Sequence, residues 1–426
     1  MSSIKPFTAL RPKPDLAAQI CELPYDVMSS DEARQVAAGN PLSFLHVSKP
    51  EIDLPPSTDV HAPEVYAKGK ENFQRLIALG ALRQDPHPCF YLYRQIMRRA
   101  GSETGAPDHT QIGLVVAASC EDYLGGIIKK HELTRPDKEE DRVRHIEALH
   151  CQTGPVFLTY RASPAIDTFV AKKTAEAPEL DFTANDGVRH TAWVIADKPS
   201  IDFIQTEFAR IPCLYIADGH HRSAAAARVY QARKSAGTGA VSSNDESAWF
   251  LSVIFPHNQM QILPYNRVLK DLNGLSLSQL LEKLDGVFIL THHTSRVTHH
   301  ASPTRKHELC LYLTSQWHTL HFRPRFAATT DPIEKLDVTL LQKYVLDPIF
   351  GIDDPRTSKR IGFVGGIRGT AELEKVVNSG EYACAFSMFP TSIEDLMTIA
   401  DAGGLMPPKS TWFEPKLRDA MFCHLI

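Results

Sequence analysis

The sequence predicts a protein of α/β or α+β class, in which mixed sheets are covered by helices. Short runs rich in β-branched and aromatic residues alternate with helix-like segments along most of the 426 residues. Hydrophobic residues make up 43% of the chain, which is enough for a sizeable buried core. This alternation argues against a pure helical bundle or a pure β-sandwich.

Each predicted element rests on a local pattern. Strands are predicted where apolar and β-branched residues cluster, at Cys89–Tyr93, Ile112–Ala118, Cys213–Ala217, Trp249–Phe255, Leu309–Leu313 and Ala383–Phe389. Helices are predicted between them, at Ser30–Ala38, Ala62–Leu79, His220–Lys234, Ser276–Leu284, Ile333–Tyr344 and Ile393–Ala402. The glycine-rich segment Gly362–Gly369 does not match a dinucleotide-binding motif, and we predict a hairpin or turn there.

Two domains are predicted from the composition of the loops. Residues 233–247 are small and polar, which favours a boundary between an N-terminal domain, residues 1–240, and a C-terminal α/β domain, residues 247–426. A second polar segment, residues 292–307, contains five histidines but no cysteine and no histidine pair spaced four residues apart. We therefore predict a solvated loop there rather than a metal site.

Composition and charge exclude several classes of partner. The net charge of −4 argues against a general attraction to nucleic acid or to an anionic membrane surface. There is no run of 18 apolar residues and no signal-peptide core, so we expect no membrane partner and a cytoplasmic location. The eight cysteines are scattered without a CxxC pair and are predicted to be reduced thiols. The oligomeric state stays open.

The densest cluster of polar residues lies between a predicted strand and an alanine-rich predicted helix. It consists of Asp218, Gly219, His220, His221 and Arg222. The first turn of a helix presents free N–H groups that favour an anion, and Gly219 lets the backbone approach that anion closely. Arg222 can bind phosphate bidentately, the histidines can donate or transfer a proton, and Asp218 can hold a metal ion or accept a proton. The simpler interpretation is an aspartate N-cap on an ordinary helix.

The Asp-Gly-His-His-Arg sequence resembles the loop of free-serine kinases in the ParB/sulfiredoxin superfamily, where such a loop contacts phosphate between a strand and a helix. Nearly the whole chain also resembles a long-uncharacterised bacterial and archaeal family of about this length. That second resemblance is carried by Leu23–Val27, His131–Thr134 with Lys138 and Arg142, Leu263–Arg267 and Met406–Lys416. Together the resemblances imply a ParB/sulfiredoxin-like loop and phosphorylation of free serine with pyrophosphate as the donor.

Two acids near the start of the chain are candidates for the catalytic base. Glu22 and Asp26 flank Pro24, which enforces an extended entry to a turn. The resemblance implies that an N-terminal acid accepts the proton of the substrate hydroxyl, and a carboxylate can do so in the transition state. The working assignment is Asp26 as the base and Glu22 as a substrate contact, although the residues alone do not decide between them. Alternatively, Asp26 only caps the turn before the next helix.

A charged segment, Ile127–His145, offers further phosphate ligands. We predict that His131, Lys138 and Arg142 line a polyanion site and that Glu132 contacts the substrate. The alternative is a solvated helix start held by pairs such as Glu140–Arg144. No GxxxxGK[ST] sequence is present, which argues against a P-loop ATPase.

A rigid loop rich in glycine and proline completes the candidate site. Its residues Lys409, Ser410 and Thr411 supply donors suited to phosphate or carboxylate, so Lys409 is predicted to bind phosphate and the other two to contact the substrate. The alternative is a surface lysine in a tight turn.

The leading hypothesis is a phosphotransferase that acts on a small hydroxyl substrate, with free L-serine as the first candidate and pyrophosphate or a nucleotide as the donor. Mg²⁺ is the expected cofactor, because it binds few protein carboxylates together with phosphate oxygens, and Asp218 is its predicted ligand. The alternative is a nucleotide-binding ParB-like regulator without phosphoryl transfer. A metal hydrolase that uses the histidines is a third hypothesis, weakened by the absence of an HExxH motif.

Overall fold

The computed structural model describes residues 2–98, 108–236, 245–292 and 302–426. Strands and helices alternate along these residues, which confirms the predicted mixed α/β class. They form two compact units: the first contains the described residues up to Met260 together with Pro415–Ile426, and the second contains those of Gln261–Glu414. Residues 237–244 and 293–301, which belong to the two predicted polar loops, lie outside the described residues.

The first unit is built on a large mixed sheet. Its strands before the second unit are β1 (Ile4–Lys5), β2 (Leu10–Pro12), β3 (Leu82–Gln84), β4 (Phe90–Met97), β5 (His109–Ser119), β6 (Ile128–Lys129), β7 (Cys151–Gln152), β8 (Val156–Tyr160), β9 (Leu180–Thr183), β10 (Arg189–Ile195), β11 (Leu214–Asp218) and β12 (Trp249–Pro256). Nine strands form one sheet in the order β6-β11-β8-β12-β5-β4-β10-β9, with β1 beside β5. The β6–β11 and β8–β12 pairs are parallel.

The first unit also contains the helices α1 (Ala17–Ile20), α2 (Ser30–Ala37), α3 (Leu45–Ser48), α4 (Pro63–Ala78), α5 (Cys120–Leu124), α6 (Pro136–Leu149), α7 (Pro164–Thr174), α8 (Lys198–Phe208) and α9 (His220–Ala236). Local sequence explains several helix starts. Ser29 and Glu32 form a capping box on α2, and a proline opens α6, where its missing N–H costs no hydrogen bond. The main core packs apolar strand residues such as Leu92, Leu158 and Ile254 against these helices.

The second unit contains a six-stranded antiparallel sheet in the order β15-β17-β16-β19-β14-β18 and a separate β13–β20 pair. Its strands are β13 (Gln261–Leu263), β14 (Tyr265–Leu269), β15 (Phe288–His292), β16 (Glu308–Leu313), β17 (Gln316–Phe322), β18 (Ile361–Gly365), β19 (Cys384–Ser387) and β20 (Trp412–Glu414). Its helices are α10 (Leu277–Val287), α11 (Pro324–Ala327), α12 (Asp337–Leu341), α13 (Gly369–Asn378) and α14 (Ile393–Asp401). A π-helical turn, Gln342–Leu346, continues α12.

The glycine-rich segment Gly362–Gly369 is not a hairpin, but its second half contains a 3₁₀ turn, Gly366–Arg368, which agrees with the alternative prediction of a turn. Its first half belongs to strand β18, which pairs along its full length with β14. A Cβ atom at Gly362 would lie 2.7 Å from the Tyr382 hydroxyl and 2.9 Å from Val268 Cγ2. Glycine is therefore required there by close packing within the sheet, not by a turn.

The two compact units divide the chain differently from the boundary predicted at residues 240–247. Strand β12 follows that loop, yet it pairs with β5 and β8 in the central sheet of the first unit. After the second unit the chain re-enters the first with Pro415–Ile426, which contains β21 (His424–Leu425) paired to β7. Among the described helices, none has the length and apolar character needed to cross a bilayer.

Candidate active site

The Asp-Gly-His-His-Arg loop connects β11 directly to α9, as predicted. Gly219 has φ +91°, a conformation that side chains with a Cβ rarely adopt. A Cβ at this position would also lie 3.4 Å from the Cα of Val156 on the neighbouring strand β8. The turn is therefore tight, and α9 begins at His220, where its first N–H groups are available to an anion.

Helix α9 sits close to its neighbours because its inner face is made of small residues. Ala225 and Val229 pack with Val143 and Ile146 of α6 in a small apolar cluster. The first turn of α9 is further tied to the start of α6, because the N–H of Arg135 donates to Nε2 of His221 at 3.1 Å. These contacts fix the orientation of the loop relative to α6.

Arg222 is buried and already engaged. Its Nη1 donates to the carbonyl of Pro155 at 3.0 Å, and its Nη2 lies 3.3 Å from Oδ1 of Asp419. Gly154 makes this arrangement possible, since a Cβ there would lie 2.5 Å from Arg222 Nη1 and 2.3 Å from Asp419 Oδ1. Burial raises the pKa of Asp419 to about 6, against the opposing effect of the Arg222 charge.

A second arginine lies on the same side of the loop. The guanidinium of Arg142 is 3.7 Å from the centroid of the Tyr25 ring, and that of Arg222 is 5.5 Å from the same ring. Arg142 also donates from Nε and Nη2 to Oδ2 of Asp141, at 3.0 and 2.7 Å. Burial raises the pKa of Tyr25 to about 12, so this ring stays neutral between the two cations. A small cavity of about 30 Å³ opens between Tyr25, Arg142, Arg222 and Asp419.

Asp218 ends β11 and is paired with a residue from the returning segment. Its Oδ2 accepts a hydrogen bond from Nζ of Lys416 at 2.8 Å, and its Oδ1 accepts one from the N–H of Gly219 at 2.8 Å. Although burial opposes ionisation, the Lys416 charge holds the pKa of Asp218 below its usual range. The side chain is 41% exposed, so its carboxylate is ionised and partly open to solvent.

The two N-terminal acids occupy different environments. Asp26 is exposed in a turn, and its charge acts on His221, Arg222 and Asp419. Glu22 instead accepts a hydrogen bond from the Ser43 hydroxyl at 2.7 Å, and its backbone pairs with that of Asp419. Burial raises the pKa of Glu22. Of the two candidate bases, Asp26 is the one with an open approach to the loop.

Two of the predicted phosphate ligands, Lys138 and Arg142, lie on α6. Lys138 is half-buried on the first turn of α6, and its role as a phosphate ligand stays a prediction. The pair Glu140–Arg144 from the solvated-helix alternative is present on the same helix, at 3.5 Å. The charged outer face of the solvated-helix alternative is therefore present, while Arg142 lies against the Tyr25 ring and its role as a phosphate ligand stays a prediction.

His131 and Glu132 lie on the other side of the loop, next to His220. The rings of His131 and His220 meet edge to face with centroids 4.5 Å apart. One ligand atom from each of His131, Glu132 and His220 lies within 4.8 Å of the others. Burial lowers the pKa of His131 to about 4 and that of His220 well below its ordinary value, so both rings are neutral.

Lys409, Ser410 and Thr411 belong to the second unit. Lys409 is exposed, its Nζ lies 5.2 Å from the centroid of the Tyr265 ring, and its carbonyl accepts a hydrogen bond from Nη2 of Arg267 at 3.1 Å. The buried Ser410 donates its hydroxyl to the carbonyl of Pro407 at 2.5 Å. That bond stabilises the loop itself. Substrate contacts by these three residues stay a prediction.

Several residues at the loop were not singled out from the sequence. They are Tyr25, Asp141, Gly154, Lys416 and Asp419. Tyr25 and Lys416 lie inside two of the segments that carry the family resemblance, and this was a usable signal. Gly154 and Asp419 have no local pattern that marks them, because their roles depend on contacts between distant parts of the chain.

Residues 4–339 match the model of a family described as "Protein of unknown function (DUF1015)". The chain belongs to this family. Sequence comparison with curated proteins gives no match.

Three solved structures show weak similarity to the chain. A free serine kinase in complex with AMP is 12% identical, with a TM-score of 0.35 over 71% of this chain and 86% of that one. A conserved hypothetical protein from Pyrococcus furiosus is 13% identical, with a TM-score of 0.35 over 72% and 93%. C-terminally truncated SbnI from Staphylococcus aureus is 11% identical, with a TM-score of 0.35 over 72% and 85%. None of these descriptions names the ParB/sulfiredoxin superfamily, so that assignment stays a prediction.

Proposed function

We propose that the first unit is a phosphotransferase that moves a phosphoryl group from pyrophosphate or a nucleotide to a small hydroxyl compound. The observation that carries the proposal is the position of two arginines, Arg142 and Arg222, beside the N-terminus of α9 and around a single tyrosine ring. A helix N-terminus favours an anion, and guanidinium groups bind phosphate oxygens bidentately. The resemblance of the Asp-Gly-His-His-Arg sequence to the loop of free-serine kinases suggests L-serine as the first acceptor to test.

The charges around the loop are balanced rather than basic. The cations include Arg142, Arg222 and Lys416, and the carboxylates include Asp26, Asp141, Asp218 and Asp419. Charges of both signs also act on the two histidines of the loop, from Lys130, Arg135, Asp137 and Glu139. A phosphate donor with several negative charges therefore needs a divalent cation beside it. In the proposed site Asp218 would hold Mg²⁺, which would neutralise charge on the phosphate oxygens.

A carboxylate near the loop would accept the proton of the acceptor hydroxyl. As the hydroxyl oxygen forms its bond to phosphorus, the bond from phosphorus to the leaving phosphate oxygen breaks, and the proton passes to the base. Asp26 fits this role because it is exposed and because its negative charge acts on Arg222. Asp419, with a pKa raised to about 6, is a second candidate, because a base works best when its pKa lies near the working pH.

The test is direct detection of the product. The full chain is incubated with L-serine, Mg²⁺ and either pyrophosphate, ADP or ATP, and phosphoserine is measured by mass spectrometry. We expect phosphoserine with one of these donors. The Arg222→Ala variant should bind that donor about 10- to 150-fold more weakly, because a charge-assisted contact contributes about 1.5–3 kcal/mol.

Arg228→Ala is the matched control, because Arg228 lies on the same helix but on its exposed side, paired with Glu140. It should leave donor binding unchanged. Nucleotide binding without any phosphorylated acceptor, across serine and other small hydroxyl compounds, would favour the regulatory alternative and contradict phosphoryl transfer. Equal donor binding by wild type and a folded Arg222→Ala variant would mean that the loop is not the phosphate site.

A further inference from the structure

His131 and His220 come together because the strands that precede them are neighbours. Strand β6 pairs in parallel with β11, with Ile128 opposite Leu214 and Lys129 opposite Tyr215. His131 lies two residues beyond the end of β6, and His220 lies two residues beyond the end of β11. The carboxyl ends of parallel strands meet at one edge of a sheet, which is where such sheets commonly bind ligands.

The two rings leave polar atoms buried without partners. His131 is 1% exposed and His220 is 6% exposed. Nε2 of His220 has no hydrogen-bond partner among the described residues, and neither nitrogen of His131 makes a well-formed hydrogen bond, although the backbone of Ile216 acts on that ring. A buried polar atom without a partner is costly, so a native protein that keeps three of them together usually gives them a ligand.

The chemistry of the group favours a cation as that ligand. A neutral imidazole offers a lone pair to a metal ion but no positive charge to attract an anion. Glu132 adds a carboxylate oxygen within 4.8 Å of the two ring nitrogens. The charge of Asp218 also acts on both histidines in the direction that favours a nearby positive charge.

We propose that His131, Glu132 and His220 form a binding site for a divalent transition-metal ion of the Zn²⁺ type. Two imidazoles and one carboxylate suit Zn²⁺, Co²⁺ or Fe²⁺, whereas Mg²⁺ prefers oxygen ligands. Three protein ligands also leave a coordination position open for water or substrate. No local spacing motif in the sequence indicates this site, because the two histidines follow different strands. It does not depend on the proposed phosphoryl transfer.

The site is tested by metal binding alone, without any activity assay. The full chain is treated with a chelator and titrated with Zn²⁺ by calorimetry, then with Co²⁺ while the visible absorption is recorded. We expect one tight equivalent and Co²⁺ d–d bands without a thiolate charge-transfer band, which distinguishes these ligands from cysteine. Millimolar Mg²⁺ should not compete. A wild-type chain that takes up no stoichiometric Zn²⁺ or Co²⁺ would overturn the proposal, whatever the variants do.

Variants assign the ligands. His131→Ala and His220→Ala should each weaken binding by more than about 100-fold, the upper end of the loss seen when a mere outer-shell partner is removed. Glu132→Gln keeps the shape of a half-buried side chain and should weaken Zn²⁺ binding as well. His87→Ala is the control, since His87 is exposed in a loop of the same unit and should bind as wild type. Folding of each variant is checked by circular dichroism, and wild-type affinity in a folded His131→Ala variant would refute the assignment.

Discussion

The two sides of the first turn of α9 differ in how their buried polar groups are paired. On the Arg222 side the buried charges form ion pairs, Arg222 with Asp419 and Arg142 with Asp141, although Oδ1 of Asp419 makes no well-formed hydrogen bond among the described residues. On the His220 side the rings are neutral, and three of their nitrogens have no well-formed hydrogen bond among the described residues. The Arg222 side therefore pairs opposite charges within the chain, whereas the His220 side brings together neutral rings without an ion partner.

The difference shows what each side can accept. A ligand on the Arg222 side must compete with carboxylates that already bind the guanidinium groups, so it must carry strong negative charge to displace or share them. A ligand on the His220 side faces the lone pairs of neutral imidazole nitrogens, which no proton occupies, and lone pairs of this kind bind a cation. Asp218 lies between the two sides, because its charge is paired with Lys416 and also acts on both histidines.

The largest expected effect comes from removing one carboxylate on the Arg222 side, Asp26, and the carboxylate that lies between the two sides, Asp218. Asp26→Asn and Asp218→Asn keep the side-chain shape and remove the charge, and a base or metal ligand should lose about 100-fold or more in kcat. The measurement is the rate of acceptor phosphorylation at saturating substrates. Asp31→Asn is the control, since Asp31 is 87% exposed on α2.

The pattern of loss then sharpens the comparison. If only the Asp26→Asn variant has a lower kcat, the phosphoryl transfer depends on the Arg222 side alone. If both variants keep full activity, these carboxylates have only structural roles.

A second prediction concerns the pH dependence of stability, to which Asp419 on the Arg222 side should contribute. The folded chain holds the proton of Asp419 up to its pKa of about 6, whereas an unfolded aspartate releases its proton near pH 3.9. Because the native state binds more protons in this window, the free energy of unfolding should fall as pH rises from 4 to 6. Across this window the group lowers the free energy of unfolding by about 2–3 kcal/mol in total, and this loss stays constant above pH 6.

Urea unfolding of wild type and Asp419→Asn at a series of pH values isolates this contribution. The difference between the two free energies should change across pH 4–6 and be flat at pH 7 and above. Parallel curves throughout the range would show that Asp419 is ionised as an ordinary surface carboxylate.

The smallest expected effect is steric. Gly154→Ala would introduce a Cβ that overlaps both Arg222 and Asp419, and such overpacking costs about 1–3 kcal/mol. We expect a lower urea midpoint and weaker donor binding, with the metal titration of His131 and His220 unchanged. Gly286→Ala is the control, because a Cβ there meets no atom within 4 Å and an alanine stabilises a helix. If Gly154→Ala matches wild type, the Arg222–Asp419 contact is not sterically constrained.

Local signals in the sequence predicted a large part of the fold. All six predicted strands overlap observed strands, and α9 begins at His220 as predicted, because a glycine turn and an alanine run define it. Helix α12 begins four residues later than predicted, at Asp337, and continues as a π-helical turn. Hydrophobic spacing does not distinguish these helix types, since each places similar residues on one face.

The site was predictable only where its residues are close together in the chain. Asp218–Arg222 form one motif, and their place between a strand and a helix was predicted from it. Lys416 and Asp218, by contrast, are 198 residues apart, and the pairing of Asp419 with Arg222 is equally remote. No periodicity or composition connects such positions, because the contact is created by the sheet order and by the return of the chain. The meeting of His131 with His220 also depends on the β6–β11 pairing.

The return of the chain to the first unit also affects how the protein is made. Pro415–Ile426 supplies Lys416 and Asp419 but follows the whole of Gln261–Glu414 in chain order. During translation, the sheet strands up to β12 emerge first, and Arg222 then lacks its buried carboxylate until the second unit has been synthesised. The loop therefore reaches its paired state only late in biogenesis, and a nascent chain stalled within the second unit would expose an incomplete site to chaperones and proteases.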